Sequence, residues 1–493
     1  MIRQAAQYSI FAVLLVATSC NGNTHPATTE PILRIGFGIG NSARTSVRNL
    51  TDLLYVEPLL ARDWNGRQTG RLVSNWTWEE RDTLLRLRLK PGVVFHDGTP
   101  LNAGMVRQIL ETARSDANFG FENVIQISAP TADTVTVRLS RPDFFLVNGL
   151  ADRPIVKPGN PDVGTGPFRL VRRSPSVLVD RHERYHGGKA SPSRVEIVTY
   201  DTTRSAWAGL MRNDVDAVQE VNPDSVDFMK GNSAVATYTT LQPFHVPFAF
   251  NLAHPALAKV EVRRALAEAL NRADILKRAM KGHGRLAEAP IWPNHWAHSP
   301  PSRTWAYSPE SAKRRLDRAG FPVREGKDGR PKSRFALKCM VYKDDPQYER
   351  IALMIQRQLF DVGVDLEIEL IGLEDLGKRL KVGEFDTYIV RVNAGRSMDY
   401  TYRFWYSKLP PSSMMQKSGY TGVDDALDRV RASLNEEQVR IAVAELASQF
   451  YQDVPAVFIA WLEVTRAVST RYEVANSAQD PLFDLWRWRS VAN

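Results

Sequence analysis

Thr83-Leu-Leu-Arg-Leu-Arg-Leu89 alternates apolar and charged side chains, and the chain continues as Lys90-Pro-Gly-Val-Val-Phe-His-Asp-Gly-Thr-Pro-Leu101 toward Ala103. Alternation at period two is the pattern of a strand with one face buried. His96-Asp-Gly-Thr-Pro100 carries turn residues, and a helix is expected near Ala103 to Thr112. Strand, turn and helix thus follow one another within thirty residues.

The same grammar recurs outward from this stretch. Ile32-Leu-Arg-Ile-Gly-Phe37 reads as the first strand, and Thr134 to Leu139, Val195 to Tyr200 and Val364 to Leu370 alternate again. Ser205 to Met211, Val262 to Leu270 and Ile275 to Met280 read as helices. Ser308-Pro309-Glu310 opens another, with serine as cap and proline at the first helical position, and Gly320 ends it. Glu349 to Val362 is amphipathic. Helix-strand alternation over this length implies α/β domains. There is no internal repeat.

The N-terminus tells where the protein works. Arg3 precedes the apolar run Ile10 to Ala17, then Thr18-Ser19-Cys20. A basic start, a short greasy core and small residues before a cut site describe an export signal, too short for an ordinary membrane span. Residues 1–19 are expected to be the signal. A cysteine directly after the small residues resembles a bacterial lipoprotein signal, which implies lipidation at Cys20. Residues 20–31 are polar, with Pro26 and Pro31, and read as a flexible tether. The expected location is periplasmic or extracytoplasmic, with the body held to the membrane through its lipid.

Cleavage there leaves about 474 of the 493 residues, enough for two or three domains. Hydrophobic content of 43% and charged content of 24% are ordinary for a globular chain. The second and last cysteine, Cys339, has no partner if Cys20 carries lipid, so no disulfide framework is expected. It lies in a strand-like run, Phe335 to Tyr342, and is expected to be a buried apolar residue. The net charge of +9 comes from arginines spread along the chain without a basic block. It reads as a solvated surface with affinity for an anionic membrane face, and no nucleic-acid partner is expected.

One motif invites an enzymatic reading. His182-Glu183-Arg184-Tyr185-His186 matches the zinc-protease pattern H-E-x-x-H, which requires a helix to bring both imidazoles to one metal. Here Ser176 to Arg181 is strand-like and Gly187-Gly188 is a turn. In extended chain, residues four apart lie roughly 13 Å from each other, too far to share a metal. An exported zinc hydrolase using His182, Glu183 and His186 is therefore kept only as an alternative, to be decided by the backbone conformation at 182–186. His295 and His298 form a second histidine pair, without a nearby cysteine or carboxylate. No Gly-x-Ser-x-Gly elbow and no phosphate-binding loop occurs, and the carboxylates show no distinctive pairing. No catalytic residue, cofactor or metal site is expected.

Several motifs, taken in order, resemble one family. Leu72-Val-Ser-Asn-Trp76 followed by Leu89 to Leu101 is similar to the signature of the extracytoplasmic solute-binding proteins of ABC importers, family 5, the peptide and nickel binder group. Gly164-Thr-Gly-Pro-Phe168 and Arg184-Tyr-His-Gly-Gly-Lys189 resemble its next landmarks. So do Ala249-Phe-Asn251 with Val262-Arg-Arg-Ala-Leu266 and Ala269-Leu-Asn-Arg272. Tyr307 to Lys313 with Ala319-Gly-Phe321, Gly419 to Leu427, and Asp453-Val-Pro-Ala-Val457 complete the series.

The resemblance implies a two-lobed α/β periplasmic-binding-protein fold, class II-like and enlarged, with an extra small domain inserted in the first lobe. Lobe I is expected over 32–45, 164–252 and 462–493, the inserted domain over 46–163, and lobe II over 253–461. The chain is expected to cross between lobes near Asn251 and return near Trp461. Ligand would stabilise the closed arrangement through contacts made to both lobes only there. The implied function is capture of a small peptide or related solute and delivery to ABC permease subunits in the inner membrane, by a monomer, without covalent chemistry. A metal chelate, an opine or a sugar is the alternative ligand on this scaffold, and a sensory role is a further reading.

In peptide binders of this family, a Trp-x-Ala-Asp-x-x-Asp-Pro segment supplies an aspartate for the ligand's amino terminus. The corresponding stretch here is Tyr388 to Asp399. If Asp399 aligns with the second aspartate, the first falls at Arg396, and Asn393 lies near the place of the tryptophan. A cation there repels an ammonium. An anionic ligand group held by Arg396, with Arg391, is therefore expected. Asn251, Tyr55 and the aromatic run ending at Trp405 complete the expected ligand-binding set.

Overall fold

The computed structural model describes residues 32–38, 43–115, 119–222, 225–226, 229, 231–299, 303–325, 331–410, 413–475 and 479–491. The expected signal and tether, with Cys20, lie outside them.

The opening stretch forms the strand Leu84–Leu89, paired antiparallel with Val73–Glu79 on one side and Thr134–Leu139 on the other. Val124–Thr131 completes a four-stranded sheet. Leu85 and Leu87 point to the same side as Val135 and Val137, all fully buried, while the intervening Arg86 and Arg88 reach Glu79 and Asp133. The helix Ala103–Ser115 covers that apolar side with Val106, Ile109 and Leu110. In the turn between them, Gly98 takes φ +84°, a conformation open to glycine at no steric cost. The Asp97 carboxylate accepts from the Thr99 N–H at 3.0 Å. This unit encloses its own core, which includes Phe95 and Leu146.

The rest of the chain is organised by one twelve-stranded mixed sheet. Two long antiparallel strands, Val235–Phe250 and Ala456–Ser469, lie at its centre and run through both halves of the molecule. On one side, Ala217–Val221 pairs with Ala456–Ser469 and carries outward Ile32–Gly38, Arg194–Tyr200, Val177–Arg181 and Phe168–Arg172. On the other, Thr387–Ile389 pairs with Val235–Phe250, followed by Phe335–Tyr342 and Val364–Ile371. The register of the central pair shifts between Leu241 and His245 and again between Val246 and Pro247. Such bulges bend a strand where they occur.

Separate cores form on either side of that bend. One gathers Leu33, Ile35, Ile197, Leu485 and Trp488, with a smaller cluster around Leu210 and Val218. The other gathers Phe248, Leu266, Cys339, Ile355 and Leu446. Cys339 is fully buried there, as its apolar strand suggests. The helix Val260–Ala269 packs beside Pro309–Arg318. Gly320 takes φ +90° after the latter helix, but the Ser308 hydroxyl makes no capping bond, against the sequence expectation. Asn271 and Asp345 do cap their helices, Arg272–Ala279 and Pro346–Phe360, by accepting from Asp274 N–H and Gln347 N–H.

The halves touch through the turn 63–67 and through Asp143. The Trp292 indole N–H donates to the Trp64 carbonyl at 3.1 Å and Trp296 N–H to the Asn65 carbonyl at 2.9 Å. Arg67 pairs with Glu436, and Arg431 with Asp143 at 2.6 Å.

Candidate functional site

His182 to His186 form a turn, with Tyr185 N–H donating to the His182 carbonyl at 3.1 Å. The two imidazoles have different partners. His182 Nδ1 lies 3.2 Å from the Gly166 carbonyl, whereas His186 Nε2 lies 2.9 Å from Glu57. Glu183 is bound to Arg181. Glu57 is almost fully buried and also accepts from Arg71, from the Tyr185 hydroxyl and from Thr165. Burial pushes its carboxyl up, but the bond from His186 and the Arg71 charge overcome this and hold it below the ordinary glutamate range. The motif is therefore part of a polar knot around Glu57 that ties Glu57 and Arg71 to Thr165, Tyr185 and His186. No turn of helix exists for a protease-type zinc site, and the hydrolase reading fails on that geometry. His295 is buried, with its Nδ1 accepting from Ala297 N–H, and burial lowers it to about 3.

A cavity of about 210 Å³ lies beside the bend, lined from both halves. Gln219, Glu220 and Asn222 follow from the strand Ala217–Val221, and Glu463 and Thr465 from the long strand Ala456–Ser469. Asp345, Gln347 and Tyr348 come from the start of the helix Pro346–Phe360, and Arg391 from the segment after Thr387–Ile389. The Arg391 guanidinium sits 5.5 Å from the centre of the Phe244 ring. Among the described residues it has no carboxylate partner, and neither Glu220 nor Glu463 has a cationic one. Of the other charges, Arg466 is paired with Asp480, whereas Arg350 donates to the Ala279 carbonyl and Asp345 accepts from Gln347 N–H, each without an oppositely charged partner among the described residues; His283 also lines the cavity.

Asn393 stands next to this cavity, opposite Phe244 in the sheet, and its side-chain oxygen accepts from Gly395 N–H at 2.8 Å. Arg396 and Asp399 lie together at the second contact between the halves. Arg396 reaches from the second half to stand over the Trp64 and Phe483 rings, at 5.5 and 4.7 Å, and its Nη1 donates to the Asp63 carbonyl at 3.4 Å. Burial and the nearby Arg62 charge lower its pKa to about 10. Asp399 is fully buried. One carboxylate oxygen accepts from the Ser397 hydroxyl and the other has no partner, so burial pushes the carboxyl up against the pull of Arg62.

The other three expected residues lie elsewhere. Tyr55 is buried in the first half, with its hydroxyl 3.3 Å from Arg173. Asn251 fastens backbone in the second half, donating to the Gly383 and Phe385 carbonyls at 3.0 and 2.7 Å. Trp405 is packed between Phe450 and Phe458 in the core. Conversely, Glu220, Phe244, Tyr348 and Glu463 line the cavity without any local sequence signal. Only the tertiary path gathers positions this far apart.

Comparison with known proteins follows the same lines. Residues 56–412 match the bacterial extracellular solute-binding proteins, family 5 (middle region). The dipeptide-binding protein of Escherichia coli strain K12 is 26% identical across 94% of this chain and 89% of its own length. The glutathione-binding protein GsiB of Pectobacterium atrosepticum is 23% identical across 80% of this chain and 81% of its own. The crystal structure of NikZ from Campylobacter jejuni in complex with Ni(L-His) superposes with a TM-score of 0.80 at 18% identity, covering 93% of this chain and 99% of that one. The architecture is thus the two-lobed fold of periplasmic binding proteins.

Proposed function

The chain belongs to the bacterial extracellular solute-binding proteins of family 5, and from that membership we propose that it captures a small peptide or related solute bearing an anionic group and presents it to an ABC permease. It is a substrate-binding protein and not an enzyme, and it works in the periplasmic or extracytoplasmic space. Its relatives include proteins named for binding dipeptides and glutathione.

The observation that carries the ligand reading is the cavity built from both lobes beside the bend of the central strands. A solute there touches both lobes at once, and contacts of that kind shift the molecule toward the closed arrangement. Arg391 lines the cavity without a carboxylate partner, and Arg396 stands nearby in the chain where peptide binders of the family carry an aspartate. Arg391 favours a carboxylate over an ammonium in the cavity, while Arg396 stands outside it, over the Trp64 and Phe483 rings.

The separate cores support two lobes and an inserted domain close to the expected lobe I (32–45, 164–252, 462–493), inserted domain (46–163) and lobe II (253–461), except that Leu50 and Leu54 pack in the first core and Phe145 and Val246 to Phe250 in the second. The register shifts support a pivot inside Val235–Phe250, a few residues before Leu252. Cys20 carries the lipid and 20–31 the tether of a monomeric receptor in this reading.

A thermal-shift screen of solutes, repeated on Arg391→Asp, tests the proposal. Carboxylate-bearing solutes are expected to stabilise the wild type, and the substitution is expected to weaken that effect. Best stabilisation by cationic, carboxylate-free peptides overturns it.

A further inference from the structure

A second cavity, of about 1270 Å³, lies in the first half of the molecule, away from the bend, and we propose that it binds the phosphate headgroup of an anionic phospholipid. Its floor is one face of the mixed sheet. Arg169 stands opposite Asp180, Asp180 opposite Arg194, and Arg194 opposite Ile32, so four neighbouring strands present these residues in a single row. Arg34, two residues on from Ile32, belongs to the same side, while Leu33, Val179 and Val195 are fully buried on the other. The walls come from the turn His96 to Gly98, from the turn His182 to Arg184, and from Arg471, Tyr472 and Val491 near the end of the chain.

The lining holds six guanidiniums, those of Arg34, Arg169, Arg181, Arg184, Arg194 and Arg471, against four carboxylates, and each carboxylate is already paired. Asp97 pairs with Lys157 from outside the cavity, and Glu183 with Arg181 at 2.9 Å and with Lys189 at 3.6 Å. Asp180 is shared by Arg169 and Arg194, at 3.3 and 2.6 Å, and Asp216 by Arg34 and Arg471, at 3.1 and 2.6 Å. One carboxylate between two arginines leaves an excess of positive charge. Arg184 has no carboxylate partner among the described residues, and Arg169 and Arg194 keep 56% and 40% of their side chains exposed. The His96 and His182 rings, 4.9 Å apart, add no charge at neutral pH, because burial lowers both. A cationic or neutral solute leaves the excess uncompensated. Open guanidinium forks in a concave space match the oxygens of a phosphate.

Size, rim and position select the source of that phosphate. The volume exceeds the roughly 300–1,000 Å³ usual for small-molecule sites, far more than a free phosphate ion fills. Ile32 and Val491, 41% and 49% exposed, place apolar surface beside the guanidiniums, which suits a headgroup together with the start of its acyl chains. Ile32 also follows directly on residues 20–31. A chain of that length reaches at most roughly 40 Å, so lipid at Cys20 holds this wall within that distance of a bilayer. The membrane as source rests on the tether reading, whereas the phosphate site stands on the charges alone. Such a contact is reversible by itself, since firm anchoring takes two signals, and it turns the tethered body toward the membrane rather than holding it there.

The test uses the mature chain from residue 20 with Cys20→Ser, so that no acyl chain contributes. Co-sedimentation at low ionic strength is run with vesicles of phosphatidylcholine alone and of equal parts phosphatidylglycerol and phosphatidylcholine. Calorimetry with inorganic phosphate, pyrophosphate, glycerol phosphate and poly-glutamate supplies the soluble arms. Binding to the phosphatidylglycerol vesicles is expected, weakening as salt rises, with none to phosphatidylcholine alone. Arg169→Ala with Arg184→Ala is expected to lower that affinity roughly 10- to 30-fold, the scale of removing two cations at an anionic surface. Arg184→Glu, at an exposed residue without a carboxylate partner, is expected to act in the same direction and serves if the pair fails to fold. Arg107→Ala with Lys381→Ala removes the same charge from exposed positions outside the cavity and is expected to leave the affinity nearly unchanged. Equal losses in the two pairs would reflect net charge and overturn the site. Equal binding to phosphatidylcholine overturns the headgroup. Tighter binding of a soluble phosphate or of poly-glutamate overturns the lipid as occupant, and binding of no probe overturns the proposal whole.

Discussion

A Cβ placed on Gly66 would clash with the carbonyl oxygen of Arg396, so the turn 63–67 and the loop 394–397 meet backbone to backbone. Gly66 also holds φ +79°, where an L side chain is strained. Both demands fall on the same residue, at a contact between the two halves.

Gly66→Ala is therefore expected to leave the fold intact and to oppose closure. Circular dichroism should be unchanged. Ligand affinity should drop by about tenfold or more, equivalent to about 1.4 kcal/mol, and compaction on ligand addition, read by X-ray scattering, should shrink. Full compaction with unchanged affinity would show that this contact is not part of closure.

Arg431→Ala should destabilise the protein strongly. Asp143 has a fully buried side chain, and its partners are Arg431 at 2.6 Å, the Asn123 amide and Phe145 N–H. The guanidinium also contacts the Phe119, Phe145 and Tyr402 rings. Removing it strands a buried carboxylate, which costs about 3–5 kcal/mol. Urea unfolding measures the loss. Adding Asp143→Asn should recover part of it, and no recovery would place the effect in lost packing instead.

His245 should set part of the acid sensitivity. It is fully buried at the bend, between Phe458 and Trp461, and neither ring nitrogen has a hydrogen-bond partner among the described residues. Burial lowers its pKa to about 3, against roughly 6.5 when unfolded. The unfolded chain binds the proton first, so stability is lost as the pH falls below about 6.5. His245→Phe should be more stable than wild type at pH 5 and should flatten that limb of the profile. An unchanged slope between pH 7 and 5 would refute the assignment.

Glu57→Gln acts at lower pH. Because the folded carboxyl lies below its ordinary value, Glu57 stabilises the protein above about pH 4.3 and the contribution disappears as the pH falls through the folded value. The variant should lose roughly 3 kcal/mol at pH 7, the scale of breaking a buried charged network. Its deficit relative to wild type should narrow toward pH 3. Dialysis against a chelator should change the melting temperature of neither protein, since Glu57 and not a metal holds His186.

Cys20→Ser should release the protein from membranes into the soluble extracytoplasmic fraction, as seen by fractionation. Retention on the membrane would contradict lipidation at that residue.

The sequence alone determined the class of the fold. Period-two strands such as Leu84–Leu89 and Thr134–Leu139, and helix boundaries such as Pro309 and Gly320, are set by which side chains face a core and which backbone angles a residue tolerates, and both are local properties. The neighbours of the histidine motif also excluded a helix there, although they suggested extended chain ending in a turn at Gly187-Gly188, and the chain already turns at His182 to Tyr185. Tertiary structure decided the rest, because it depends on residues far apart in the chain. Arg391 lines the cavity and Asn393 lies beside it, paired with Phe244, while Trp405, an aromatic in a helix like many ligand platforms, went to the core. Glu220, Glu463 and Phe244 look like any surface carboxylates and strand phenylalanine until two central strands bend and gather them around one cavity with Arg391. Charge pairing across a cleft is a matter of distance in space, and no spacing along one strand or helix encodes it.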